Sequence, residues 1–164
     1  SADGQRLAFG RLSFGSARGA VEIQIVDFKT RQASVLPGSQ GLFSPRWSPD
    51  GRYMAAMTVD SRELRLYDFK TAKWSQWTTD PGSMGYQSWS SDSRYLYFNE
   101  FVNSPMCRRI KVGEHNPQDV FSLGTVKSYA GVWGTWAGIA PDNSRILVRD
   151  TSTQEIYALD VDLP

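Results

Sequence analysis

The stretch "RWSPDGRYMAAM", residues 46–57, sets Trp47 beside a Ser-Pro-Asp-Gly turn and follows it with a short apolar run. Its one carboxylate, Asp50, reads either as a reacting group or as a turn former. The same local pattern returns as "SADGQRLAF" from Ser1, "WSSDSRYLYF" from Trp89 and "IAPDNSRILV" from Ile139, so Asp3, Asp50, Asp92 and Asp142 stand 47, 42 and 50 residues apart. An aspartate at this place can accept the backbone N–H two residues on, and the glycine after it supplies the positive φ that other residues resist. Ser93 and Asn143 replace Gly51 in two of the copies; Asn tolerates the left-handed region, and Ser does so less well. A catalytic group seldom recurs at one place in four repeats, so Asp3, Asp50, Gly51, Asp92 and Asp142 are expected to be structural turn residues.

Strands follow each turn. The first is "RLAF", "YMAAM", "YLYF" or "RILV"; the second alternates in polarity as "VEIQIVDFKT" (21–30), "RELRLYDFKT" (62–71), "MCRRIKVGEH" (106–115) and "QEIYALDVDL" (154–163). A third, "QASVL", "KWSQW" or "DVFSL", leads into a loop, and a fourth, "LFSPRW", "YQSW" or "WGTWAGI", runs into the next turn. Four strands at this period make one blade of a β-propeller. The expected fold is therefore all-β, with blades of four antiparallel strands, about three and a half of them in one domain over residues 1–164. The repeats fall at about 1–47, 48–89, 90–139 and 140–164. Composition agrees: aromatics make up 13 % of the chain, with six Trp, and the 14 Gly and 8 Pro are scattered as turns between short strands require. No window of 11 or more residues carries uninterrupted helical spacing of apolar side chains.

Charge narrows the partners. With 18 basic and 17 acidic residues, a net charge of +1 and no run of one sign, the sequence argues against nucleic acid or an anionic membrane as the main partner. No apolar stretch reaches membrane-spanning length, and "SADGQR" has neither the basic nor the apolar region of a signal peptide, so the expectation is a soluble chain without membrane insertion. Cys107 is the only cysteine, which rules out an intrachain disulfide or a thiolate metal cluster and leaves the compartment open.

Candidate reacting groups each have a simpler reading. His115, the only histidine, lies among turn formers in "GEHNPQ" and is expected in an exposed loop. Cys107, flanked by Arg108, would have a lowered thiol pKa if exposed; the simpler reading is a small strand residue. Asp160 and Asp162 read as a solvated strand edge, and no calcium-type aspartate spacing is present, so no metal and no cofactor are expected. "GSARG" (15–19) lacks the lysine and helix of a phosphate loop and reads as a hairpin tip, and no nucleophile elbow or dinucleotide fingerprint occurs.

One stretch keeps functional interest. "SYAGVWGTWAGI" (128–139) gathers Tyr129, Trp133 and Trp136 among glycines just before the last turn. Connections between blades lie on the face opposite the Asp turns, together with the hairpin tips, and that face carries the binding funnel of a propeller. Tyr86 falls in the matching connection of the preceding repeat. Flat aromatics there can stack on a sugar, a base or a peptide side chain, so Trp133, Trp136, Tyr129 and Tyr86 are the candidate ligand-binding residues; the alternative is that they pack between blades.

These residues resemble the TolB-type, WD-like propeller repeats, whose hallmark Trp-Ser-Pro-Asp-Gly turn is complete at Trp47–Gly51, reduced at Trp89–Ser93 and looser at Ile139–Asn143. "GIAPDNSRILVRDTSTQEIYALDVDLP" and "WSPDGRYMAAMTVD" look like the C-terminal half of propellers in acidobacterial signalling proteins that carry a winged-helix region or a kinase. The resemblance implies a non-catalytic binding, interaction or sensor module of a larger bacterial signalling or regulatory protein, periplasmic or cytoplasmic. The alternatives are a hydrolase or lyase with a polar site in the funnel, for which Arg46, Arg108 or His115 beside a carboxylate would speak, and a purely structural segment. Counted by strands, the blades hold three, four, four and three. Closure then calls either for the rest of a longer chain or for a homodimer that completes the ring.

Overall fold

A computed structural model describes residues 1–10, 21–79, 82–102, 104–131 and 134–153. Among these residues every regular element is a strand except one 3-10 turn at Leu123–Thr125. The first sheet is β1 (Arg6–Gly10), β2 (Ile23–Asp27) and β3 (Gln32–Val35), in that order. The second is β4 (Leu42–Trp47), β5 (Tyr53–Thr58), β6 (Glu63–Asp68) and β7 (Lys73–Thr79). The third repeats it as β8 (Met84–Trp89), β9 (Tyr95–Glu100), β10 (Met106–Lys111) and β11 (Gln118–Ser122). All neighbours run antiparallel in sequence order, which is the blade meander expected from the repeat.

The last repeat differs from the expectation. "WGTWAGI" does not form one inner strand: β12 (Ala130–Gly131) pairs with β13 (Gly134–Thr135), and only β14 (Ala137–Ile139) pairs with β15 (Arg145–Leu147). Two glycines and two Trp in seven residues fit a pleated run poorly, and the short hairpin is what the glycines allow. The strand expected at 154–163 and the hairpin tip at 15–19 lie outside the described residues.

Strand alternation builds the core between blades. In β5, Met54 and Ala56 join the cluster of Ile23, Leu36 and Tyr67, while Ala55 and Met57 point the other way into the cluster of Leu64, Trp77 and Trp89. β9 does the same, with Leu96 and Phe98 on one face and Tyr97 with Cys107 on the other. Each middle sheet is thus apolar on both faces, since successive side chains point to opposite sides. β4 lies against β1 and β8, and β8 lies against β14, so the blades converge on these strands and β4, β8 and β14 are the inner ones. Aromatics fill the seams: Trp47 stacks on Phe69 at 4.9 Å between centroids, and Tyr53 reaches Trp89 of the next blade at 6.4 Å.

Candidate functional site

The four repeated aspartates are engaged in their own turns. Asp3, Asp50, Asp92 and Asp142 accept the N–H of Gln5, Arg52, Arg94 and Ser144 at 3.1, 3.0, 3.0 and 2.9 Å. Ser48 and Ser90 donate their hydroxyls to Asp50 and Asp92, both at 2.6 Å, and accept the N–H of Tyr53 and Tyr95. The residue after each aspartate is left-handed, with φ of 67° at Gly4, 75° at Gly51, 59° at Ser93 and 65° at Asn143. The substitutions at this place have a use: Ser93 Oγ accepts the Asp50 N–H at 3.0 Å, and Asn143 Oδ1 accepts the Ser91 N–H at 3.1 Å. Each side chain therefore latches its turn to that of the blade before it.

On the opposite face, the inner strands share an irregularity that the sequence pattern did not reveal. β4 breaks register between Phe43 and Arg46, and β8 breaks it between Gly85 and Ser88. At equivalent places within these bulges Ser44 and Tyr86 are left-handed, at φ 52° and 53°. Left-handed non-glycine residues cost about 1 to 2 kcal/mol each and gather where a fold re-aims side chains. Gly10 lets β1 approach the first bulge, since a Cβ there would stand 3.1 Å from the Ser44 nitrogen. Tyr86 meets Phe101 edge-on at 5.8 Å, and Phe101 in turn covers Gly85, where a Cβ would stand 2.9 Å from the ring.

The bulges also form a seam. Arg46 donates through Nε to the Gln87 carbonyl at 3.1 Å and through Nη1 to the Pro45 carbonyl at 2.9 Å. Ser44 Oγ reaches Gln87 Oε1 at 3.3 Å, and Trp89 Nε1 donates to the Arg46 carbonyl at 2.9 Å. Partial burial draws the Arg46 guanidinium below its ordinary pKa.

Of the aromatic candidates, Tyr129 and Trp136 are 56 % and 45 % exposed in the connection from β11 to β14. Trp136 lies over Gly138, whose missing Cβ would stand 2.8 Å from the ring. Trp133 lies outside the described residues. Arg46, Arg108 and His115 occupy three separate settings. Arg108 is ion-paired with Glu100 and Asp119 at 2.9 and 2.8 Å, and exposed His115 contacts the Trp77 carbonyl through Nδ1 at 3.0 Å. Cys107 is fully buried and burial pushes its thiol pKa up, opposite to the shift that exposure beside Arg108 would have given. Among the described residues no group of three or more His, Cys, Asp or Glu is placed to hold a metal ion. No helix among them is long and apolar enough to cross a membrane.

Antiparallel four-stranded sheets converging on inner strands define the protein as a β-propeller. No family model matches the chain, and none of the curated proteins does. Solved structures do: TolB from Acinetobacter baumannii is 21 % identical with a TM-score of 0.66, covering 93 % of this chain and 37 % of that one. A putative TolB from Agrobacterium tumefaciens is 17 % identical with a TM-score of 0.62, covering 85 % and 48 %. Oligogalacturonate lyase from Vibrio parahaemolyticus is 18 % identical with a TM-score of 0.59, covering 74 % and 38 %. The fold is that of a TolB-like β-propeller, and the chain spans less than half the length of each of these proteins.

Proposed function

We propose that this chain is a non-catalytic binding or sensor module whose ligand contacts the face carrying the connections between blades, within a larger bacterial signalling or regulatory protein. The observation that carries this reading is the exposure of Tyr129 and Trp136, 56 % and 45 %, together in the connection from β11 to β14, whereas Trp47, Tyr53, Trp77 and Trp89 pack on other rings in the seams between blades. Exposed rings beside glycines offer flat apolar surface at little entropic cost to a sugar, base or peptide. Tyr86 and Trp133 complete the proposed set. The test is a fluorescence titration with a panel of oligosaccharides, nucleosides and short peptides against the wild type, Tyr129→Ala and Trp136→Ala, with the fold checked by circular dichroism. At least tenfold weaker binding in a folded variant supports the site; equal affinity in both variants overturns it.

A second reading, a hydrolase or lyase with a polar site in the funnel, draws on the likeness to the lyase structure. Arg46 at the inner-strand seam is the residue it would use. An Arg46→Gln variant that kept its fold but lost lyase activity on polyuronates would favour it.

Ring closure is proposed to come from further blades, supplied by a second copy or by a longer polypeptide. Light scattering during gel filtration separates the two: a mass near twice 18.4 kDa identifies the homodimer.

A further inference from the structure

Arg145 occupies a place that is core in the other blades. Ile139 pairs with Arg145, as Trp47 pairs with Met54 and Trp89 with Leu96, and both Met54 and Leu96 are 0 % exposed. The cause is a turn shorter by one residue. The Ser48 and Ser90 N–H groups donate to the carbonyls of Tyr53 and Tyr95, five residues on, whereas the Ala140 N–H closes on Ser144, only four residues on. Ala140 also lacks the hydroxyl with which Ser48 and Ser90 hold the longer turn. Because side chains alternate across a strand, one residue of slip moves Arg145 from the face of Tyr53 and Tyr95 to that of Met54 and Leu96.

On that face the guanidinium crosses to the third blade. Nη2 donates to Asn99 Oδ1 at 3.0 Å, and the guanidinium carbon lies 5.7 Å from the centre of the Tyr97 ring. Arg145 Nε and Nη1 are buried without a hydrogen-bond partner, and so is Nδ2 of Asn99, a residue that is 0 % exposed. The Asn99 amide cannot be turned round to escape this, since Nη2 needs an acceptor and only Oδ1 is one. Among the described residues no carboxylate pairs with Arg145; Glu100 and Asp119 are held by Arg108. The Cys107 thiol, kept protonated by burial, supplies no counter-charge either. A desolvated cation with open donors is costly unless an anion compensates it.

We propose that Arg145 and Asn99 form an anion site between the third and fourth blades that takes a small monocarboxylic acid. One cation matches one carboxylate, and every open polar atom is a donor, as a carboxylate requires. Tyr97, beside the guanidinium, belongs to an apolar cluster with Leu123, against which Ile139 and Leu147 pack, and Leu123 also lines a surface pocket with Phe101, Pro105 and Val126; in this proposal the hydrocarbon end of the acid lies along that cluster. The proposal rests on Arg145 and Asn99 and not on the loop-face aromatics, although Phe101 of the pocket touches Tyr86.

Thermal melting in sodium butyrate and sodium benzoate, against sodium chloride at the same ionic strength, tests this with the wild type, Arg145→Met and Asn99→Asp. The wild type should gain a saturable rise in Tm of about 2 °C or more in a carboxylate salt beyond that in chloride. Arg145→Met, which restores the residue type of Met54, should lose that rise. Asn99→Asp builds the carboxylate into the protein, so it should melt above the wild type without ligand and no longer respond. An equal response to chloride and carboxylates, or no response in the wild type, overturns the proposal, as does a response retained by Arg145→Met. Should Arg145→Met fail to fold, a carboxylate response retained by folded Asn99→Asp overturns it equally.

Discussion

Ser93 holds a left-handed conformation that glycine would adopt at lower cost, and its hydroxyl bonds the Asp50 N–H of the preceding blade at 3.0 Å. The turn itself was legible in the sequence, because a Ser-x-Asp-Gly run has one favourable local geometry. The reason for the Gly-to-Ser change was not, since the partner lies 43 residues away. Ser93→Ala should keep the strained backbone and lose the latch, lowering stability by about 1 kcal/mol in urea unfolding. Asp50→Ala should cost about 1 to 2 kcal/mol, for the bonds from Ser48 and Arg52, and should leave ligand binding unchanged in the same preparations. Asp92 has its pKa lowered from 3.8, first by the Ser90 hydroxyl and then by the Arg94 N–H, and Asp60 is lowered likewise by Thr58 and Arg62. A depressed folded-state pKa stabilises above the unfolded value and stops doing so as pH falls through the folded one. Unfolding midpoints should therefore hold above pH 3.8 and drop below it, and the drop should be shallower in Asp92→Asn. A drop of equal depth in that variant would remove Asp92 from the acid response.

At the scale of elements, the strands of the two middle blades were readable because each carries β-forming residues between turn formers. β5 and β9 divide their alternate residues between two inter-blade cores. Phe98, 0 % exposed, is the largest fully buried side chain among the described residues, and Phe98→Ala should cost about 3 to 5 kcal/mol, lowering the urea midpoint with the m-value unchanged. The bulges at Ser44 and Tyr86 were hidden, because "LFSPRW" and "MGYQSW" share neither a glycine nor a polarity pattern at the bulged residue. The slip at Arg145 was hidden for a related reason: aligned by their aspartates, "DGRY", "DSRY" and "DNSR" put Arg145 with the tyrosines, and only strand pairing moves it onto the core face.

Across the whole molecule, burial falls from the inner strands outward. β8 and β9 are almost wholly buried or half-buried, whereas β3 is exposed throughout and β11 is exposed over Gln118–Val120. Amide exchange should follow this gradient, with β5, β8 and β9 protected longest and β3 and β11 exchanging first; the reverse order would contradict a core lying between blades near the inner strands. The chain of latches from Asn143 to Ser91 and from Ser93 to Asp50 runs in one direction only and stops at Gly51, which has no side chain to extend to the first blade. Repeats that look interchangeable on paper are therefore addressed to particular neighbours. A duplication or reshuffling of these units would forfeit about 1 kcal/mol at each seam where the residue after the aspartate no longer meets its N–H.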